Sequence, residues 1–383
     1  MEKEIIPEVY EMTNSIFEEK IKMLLDLDKK IKFENDFPHK TSKKKRIAIV
    51  YDNEGWAFCN IASNIKKYLS EDFDITIFPL SVFDDNVVKL ILLAQQFDLV
   101  HCLWRGILSS LDYEYPRGYI YNMGLTFEEF KQNYLEKVNI TTSVYDHQFL
   151  DEASFENTKS FAKYTKNYTV SSTILHDIYN ELEIDKKPMA VISDGVDLTK
   201  FKPDNLERFK QSNLEKRKIR FGWVGNSEYI DSEGDSDLKG VRKIIKPVLE
   251  ELIEEGYPIE FKFADRKDGL IPHDKMPDYY NSIDVYICAS KTEGTPNPIL
   301  ESMASGLPII STNVGIVSDA FGEKQKKYIL KEQSKEALKQ AIIQLLDDKK
   351  QFEELSEENL KQIQGWTWQK KCEQFKEFFE KNL

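Results

Sequence analysis

Long hydrophobic runs are missing from this chain. No stretch of its 383 residues approaches the ~18 consecutive apolar residues that a membrane-crossing helix needs. The N-terminal MEKEIIPEVYEMTNS also lacks the apolar segment of a secretory signal. Cysteine is scarce. Cys59, Cys102, Cys288 and Cys372 lie far apart with no C-x-x-C pair, which argues against a zinc site and fits a reducing compartment. Cys59, Cys102 and Cys288 have apolar or aromatic neighbours and are expected to be packed thiols. Positive charge is in deficit, with 53 Lys and Arg against 66 Asp and Glu and a net charge of −13. That excludes strong nonspecific binding to nucleic acid or anionic lipid. An anionic ligand would need a local positive site.

Several catalytic signatures are absent too. No G-x-G-x-x-G follows a strand pattern, so a dinucleotide-dependent oxidoreductase is disfavoured. No G-x-x-x-x-G-K-[ST] is present, nor G-x-S-x-G, nor H-E-x-x-H.

What is present is an alternation of strand and helix patterns. RIAIVYD (46–52), DITIFPL, DLVHCLW, VNITTSVYD, KNYTVSS and KPMAVIS read as short apolar strands. CNIASNIKKYL and residues 84–95 have helical periodicity. Residues 106–137 interrupt the pattern with a segment carrying Tyr113, Tyr115, Tyr119 and Tyr121. A second alternation follows residue 218: KIRFGWVG, a helix in DLKGVRKIIKPVLEELIEEG, PIEFKFAD, a short helix in MPDYYNSID, VYICAS, a helix in PILESMAS, and LPIIST. From residue 334 the tail is helical, with a break near Gly365. Such alternation predicts an α/β architecture of two parallel sheets. The expected division is a helical extension and linker over 1–45, a first domain over 46–195, a linker over 196–218, a second domain over 219–364, and a closing helix over 365–383 that packs back on the first domain. Within the extension, residues 1–37 read as an acidic amphipathic helix. Ligands of open parallel sheets bind at the carboxyl ends of the strands, so two facing sheets would place the ligand in the cleft between them.

The stretch TEGTPNPILESMASG (292–306) is the most informative local signal. Asn297 is a favoured N-cap residue, Pro298 suits the first helical position, and Gly306 supplies a stop. The free N–H groups of such a helix start make an anion site, and Gly294 permits close backbone approach. Yet Glu293 precedes the helix and Glu301 lies one turn inside it. Two carboxylates beside an anion site require explanation.

Together with this stretch, VISDGVDLTKFKP (191–203), FGWVGNS (221–227), DLKG (237–240), FDLVHCLWRG (97–106), TSVYDHQFL (142–150) and GWTW (365–368) resemble family 4 of the retaining glycosyltransferases. The resemblance covers about residues 46–383. It implies the GT-B fold of two facing Rossmann-like domains, with transfer of a sugar from a nucleotide diphosphate sugar to a glycan or lipid-linked acceptor. It further implies retained anomeric configuration, no cofactor and no metal. Family precedent suggests bacterial surface polysaccharide synthesis, by a cytoplasmic protein with weak peripheral contact at the inner membrane.

The resemblance also distributes roles. Glu293 is expected to meet the transferred sugar and Glu301 the ribose hydroxyls, since ionised carboxylates accept hydrogen bonds from hydroxyls. Gly294, Thr295, Pro296, Asn297 and Lys239 would surround the phosphates. Asn226 stands where relatives often carry Arg, and Arg266 is the candidate replacement cation. Tyr145-Asp146 stands where many members have His-Asp, so the adjacent His147 is the candidate for handling the acceptor hydroxyl. Gly55, Trp56 and Arg105 are candidates on the acceptor side, against plain packing or strand-end roles. His101 is expected to be structural. Asp194 replaces the Asn of the usual N-G-V-D. The alternatives are a GT-B nucleotide-sugar epimerase and a noncatalytic glycosyltransferase-like scaffold.

Overall fold

The computed structural model describes residues 44–53, 57–146, 150, 154–228 and 237–383. The candidates Gly55, Trp56 and His147, the extension over 1–37, and most of the acidic loop before Lys239 lie outside these residues.

The first sheet holds six parallel strands: β1 Arg46–Tyr51, β2 Asp74–Pro79, β3 Leu99–Cys102, β4 Ile140–Val144, β5 Asn167–Val170 and β6 Ala190–Val191. Their spatial order is β2-β1-β3-β4-β5-β6. The second sheet holds β7 Ile219–Gly225, β8 Ile259–Asp265, β9 Val285–Cys288, β10 Ile309–Thr312 and β11 Ile329–Leu330, in the order β11-β10-β9-β7-β8, again all parallel. The central strands are buried along most of their length, which is why they read as continuous apolar runs rather than alternating ones.

The helices that frame these sheets are α1 Ala57–Leu69, α2 Val87–Ala94, α3 Thr173–Glu181, α4 Lys246–Glu254, α5 Met276–Asn281, α6 Asn297–Ala304, α7 Lys335–Asp347, α8 Gln351–Gln362 and α9 Trp368–Glu380. The helix expected over DLKGVRKIIKPVLEELIEEG begins as a π-turn at Val241–Ile245 before settling into α4. The tail has a second break that periodicity missed, between α7 and α8. Asp348 there leaves helical geometry at φ −127° and ψ 85°.

Three apolar cores follow. One fills the second domain around the fully buried Trp223. The other two cover the two faces of the first sheet. The second of these draws Trp368, Cys372, Phe375, Phe378 and Phe379 from α9, so the last helix of the chain covers the first sheet. Burying each of these rings is worth roughly 1.5–3 kcal/mol, which ties the C-terminus to the first domain. The buried thiols are accordingly Cys102, Cys288 and Cys372, whereas Cys59 is only half-buried. Cys59 packs against the edge of that same core, because it lies beside the buried stripe of α1 formed by Ile61, Ala62, Ile65 and Leu69. Among the described residues no helix is long and apolar enough to cross a membrane.

Candidate functional site

The segments that follow β4, β5 and β6 meet the segments that follow β9 and β10 across the boundary between the domains, the interdomain cleft of this architecture. Gly294 lies so close to the first domain that a Cβ there would overlap the carbonyl oxygen of Tyr145. Only glycine allows backbone to meet backbone at that distance. Two hydrogen bonds accompany this approach. The Asp194 N–H donates to Thr295 Oγ1 at 3.5 Å, and the Thr173 N–H donates to the Asp319 carboxylate at 2.9 Å.

The helix start differs from its sequence reading by one residue. Pro296 occupies the cap position without a side-chain cap bond, Asn297 is the first helical residue, and Pro298 follows it. The Asn297 side chain instead meets the Asp194 carboxyl. A long-range partner has therefore taken the amide that local preference assigned to capping. Glu301 is still inside the first turns, and Gly306 still ends the helix, in the left-handed region at φ 72°.

Each glutamate is held by named groups. Glu293 Oε1 accepts from Ser290 Oγ at 2.8 Å and pairs with Lys239 Nζ. Glu301 accepts from Tyr280 Oη at 2.6 Å and meets His273 Nε2 at 3.3 Å. His273 Nδ1 lies 2.8 Å from Lys200 Nζ. Lysine can only donate, so Nδ1 accepts and the ring proton sits on Nε2, facing Glu301. The second glutamate is thus oriented by a phenol and an imidazole, and the first by a cation and a hydroxyl.

Lys239 reaches Glu293 because its loop is pinned flat against the end of β9. Gly240 adopts a left-handed φ of 66°, and a Cβ there would overlap the Ala289 carbonyl oxygen. The buried Asp237 carboxylate accepts from the N–H groups of Arg242 and Lys243 at 3.2 and 2.6 Å, capping the helix that follows. The Lys291 N–H donates to the Leu238 carbonyl at 2.9 Å, tying the two loops together.

The remaining candidates are spread around the cleft. Asn226 caps its own turn, its side chain accepting from the Glu228 N–H at 3.1 Å. The Arg266 side chain is exposed at the end of β8, and its N–H donates to the Gly225 carbonyl at 2.9 Å. Arg105 is turned inward: its guanidinium is buried and donates to Asp146 at 2.8 Å. That pairing reflects the strand-end role rather than an open acceptor contact. His101 is fully buried, with its two ring nitrogens 3.0 Å from Thr141 Oγ1 and Ser143 Oγ and with Phe375, Phe378 and Phe379 around the ring. Burial pushes its pKa down to about 3, so it is a neutral structural group. Tyr113, Tyr115 and Tyr121 are exposed, whereas Tyr119 packs against the first core.

Sequence reasoning missed Ser290, Tyr280, His273, Lys200 and Asp237. Ser290 had a signal, lying at the end of a strand three residues before Glu293. Tyr280 and His273 stand 21 and 28 residues from Glu301, and no local spacing reports such pairs.

Residues 269–362 match the family model described as glycosyl transferases group 1. That segment contains both glutamates and α6. A candidate teichuronic acid biosynthesis glycosyltransferase of Bacillus subtilis (strain 168) is 33% identical over 116 residues, which is 30% of this chain and 27% of that protein. The match thus spans about a quarter of that relative's length. Among solved structures, sucrose-phosphate synthase from Thermosynechococcus elongatus superposes with a TM-score of 0.60 at 14% identity, covering 88% of this chain and 99% of that one. Anabaena HepE in complex with UDP and glucose gives a TM-score of 0.60 at 13% identity, with the same coverage. The chain therefore has the GT-B fold of two parallel-sheet α/β domains and carries a glycosyltransferase group 1 segment in its second domain.

Proposed function

We propose, from a glycosyltransferase group 1 segment carried on a GT-B frame, that this chain transfers a sugar from a nucleotide diphosphate sugar to a glycan or lipid-linked acceptor in bacterial surface polysaccharide synthesis. One observation carries the reading. Glu293 with Lys239 and Glu301 with Tyr280 stand on either side of the α6 start, within a cleft closed by a glycine. A nucleotide sugar has anionic phosphates in its middle and neutral hydroxyls at both ends. The helix N-terminus and the Lys239 ammonium suit the phosphates. The flanking carboxylates suit the hydroxyls, Glu293 on the sugar and Glu301 on the ribose.

The pairing of Lys239 with Glu293 is compatible with this division. An ammonium has three N–H donors, so Lys239 can hold Glu293 with one and a phosphate oxygen with another. In the reaction the anomeric carbon–phosphate oxygen bond breaks and an acceptor oxygen–carbon bond forms. We assign attack to the face from which the diphosphate departs, which retains configuration, with the acceptor proton passing to a leaving phosphate oxygen. Lys239 and the α6 amides stabilise the charge that develops there. The comparison with a protein named for teichuronic acid biosynthesis supports a surface-glycan acceptor.

The test is a thermal-shift screen with UDP-, GDP-, ADP- and CMP-activated sugars, followed by product analysis with and without glycan acceptors. A ligand at 100 times its Kd stabilises by roughly 2.7 kcal/mol, which the screen detects. Sugar transfer that depends on acceptor supports the proposal. Conversion of donor alone would assign an epimerase, and binding of no nucleotide sugar would leave a scaffold.

A further inference from the structure

Asp194 lies where the first domain hands the chain to the second, and its side chain is buried at 2% exposure. Its Oδ1 has no hydrogen-bond partner among the described residues. The carboxyl meets the Asn297 side chain, and the Asp194 N–H meets Thr295, so it touches both ends of the turn into α6. We propose that Asp194 is a positioning residue held as a neutral acid in the closed cleft, so that closing the α6 loop onto the first domain takes up a proton from solvent.

A carboxylate removed from water costs several kcal/mol unless a charge and hydrogen bonds replace its hydration. Asp194 has one amide partner and forms no ion pair within 4.0 Å among the described residues. Protonation removes a charge that only the more distant Lys371 ammonium offsets.

Among the described residues, the groups that face Asp194 come from α9, from the end of β4 and from α6. From α9, Lys371 interacts with both Asp194 and Asp319, and its ammonium lies 3.7 Å from the centre of the Trp366 ring. From the strand end after β4 comes the buried Tyr145, whose hydroxyl feels the charges of Asp194 and Cys372. From α6 comes the uncharged Asn297. Burial dominates for both ionisable partners, raising Asp194 to about 7 and lowering Lys371 to about 8. Both groups therefore titrate near neutral pH, because burial disfavours the charged form of each.

Opening the cleft would let water reach the ionised carboxylate, so deprotonation favours the open form. It would also leave a negative charge beside the α6 start, against an incoming diphosphate. The donor half of this inference rests on the proposed function; the closure half does not.

The experiment is small-angle scattering of the full chain from pH 5.5 to 8.5, for the wild type, Asp194→Asn and Lys371→Met. The wild type is expected to expand as pH crosses about 7, whereas Asp194→Asn stays compact throughout. Removing the Lys371 cation leaves ionised Asp194 without its attraction, so Lys371→Met should move the expansion to higher pH if it keeps native structure. In parallel, affinity for UDP-glucose and GDP-mannose, whose diphosphates do not titrate in this range, is measured at each pH. About a five- to tenfold loss between pH 6 and 8.5 is expected in the wild type and none in Asp194→Asn. Identical pH profiles in wild type and Asp194→Asn overturn the inference. Absence of binding to any nucleotide sugar at every pH counts against the proposed function, while the scattering still decides the proton-linked closure. Should Asp194→Asn misfold, a wild-type profile flat across pH 7, or one that Lys371→Met leaves in place, overturns the inference on its own.

Discussion

Glu293 and Glu301, on the second domain, each meet two side-chain partners from their own domain or the linker before it. Across the cleft, the strand ends of the first domain present Ser171 Oγ, Ser193 Oγ and Asp194 Oδ1, buried and without hydrogen-bond partners among the described residues. The contrast is physical. The second-domain face is preorganised, so its carboxylates are aimed before any ligand arrives, which is the arrangement that stabilises developing charge without later rearrangement. The first-domain face keeps these buried polar atoms without partners even where it meets the second domain. Specificity for an acceptor would then reside in the less finished face, and charge stabilisation in the finished one.

The largest expected effect tests the finished face. Glu293→Gln keeps the shape but removes the negative charge that balances Lys239. Turnover should fall about 10²–10³-fold, the range seen when one preorganised electrostatic group is lost, with the circular dichroism spectrum unchanged. Full activity would show that this face is not preorganised for the reaction.

Next comes the point where the two faces touch. Gly294→Ala places a methyl group against the Tyr145 carbonyl, which forces the loop away from the first domain. A displacement near 1 Å costs on the order of 10²-fold in a positioned reaction. A drop of that size in kcat/KM, together with a larger radius of gyration in solution, is the expected result. Unchanged compactness would mean that the contact does not set the closed form.

A third test addresses the first domain's own core. His101 is neutral in the folded chain, with its pKa near 3, whereas the unfolded chain binds a proton at that residue below its ordinary 6.5. Acid therefore favours unfolding. The contribution of His101 is complete above pH 6.5 and is lost progressively as pH falls toward 3. Between pH 6.5 and 5 the loss should be about 2 kcal/mol, measured by urea unfolding at each pH. His101→Asn, which does not titrate, should lack this limb of the profile.

The smallest effect concerns the support of Glu301. His273→Ala leaves that carboxylate with Tyr280 alone, and KM for the nucleotide sugar should rise about threefold with kcat unchanged, because a net hydrogen bond contributes roughly 0.5–1.5 kcal/mol. His273→Gln, which can still donate, should restore most of it. An equal fall in kcat would place His273 in the chemistry rather than in positioning.

Much of the frame was legible because its signals are local. Short apolar runs such as RIAIVYD and VYICAS announced parallel strands. The TEGTPNPILESMASG stretch announced an extended loop, a helix start and a stop. Glycines at 294 and 306 marked a close approach and a helix stop that the structure contains, whereas the left-handed turn at Gly240 was not foreseen. Local preference failed where a distant group competed for the same atoms. Asn297 is not a cap because Asp194, delivered by the first domain, meets its side chain. Cys372 is buried because α9 returns to cover the first sheet.

The sequence by itself determined the two α/β halves, the position of the α6 start to within a residue and the presence of two glutamates around it. Each of these follows from spacing within one or two turns of chain, where backbone geometry dictates which residues are neighbours. Only the tertiary structure decided which partner each glutamate keeps and which acid stands alone. Lys239 is 54 residues from Glu293, Tyr280 is 21 from Glu301, and Asp194 is 101 from Thr295. Such pairs arise when burial brings strand ends together, and it is the same burial that strips water from Asp194 and makes its charge costly.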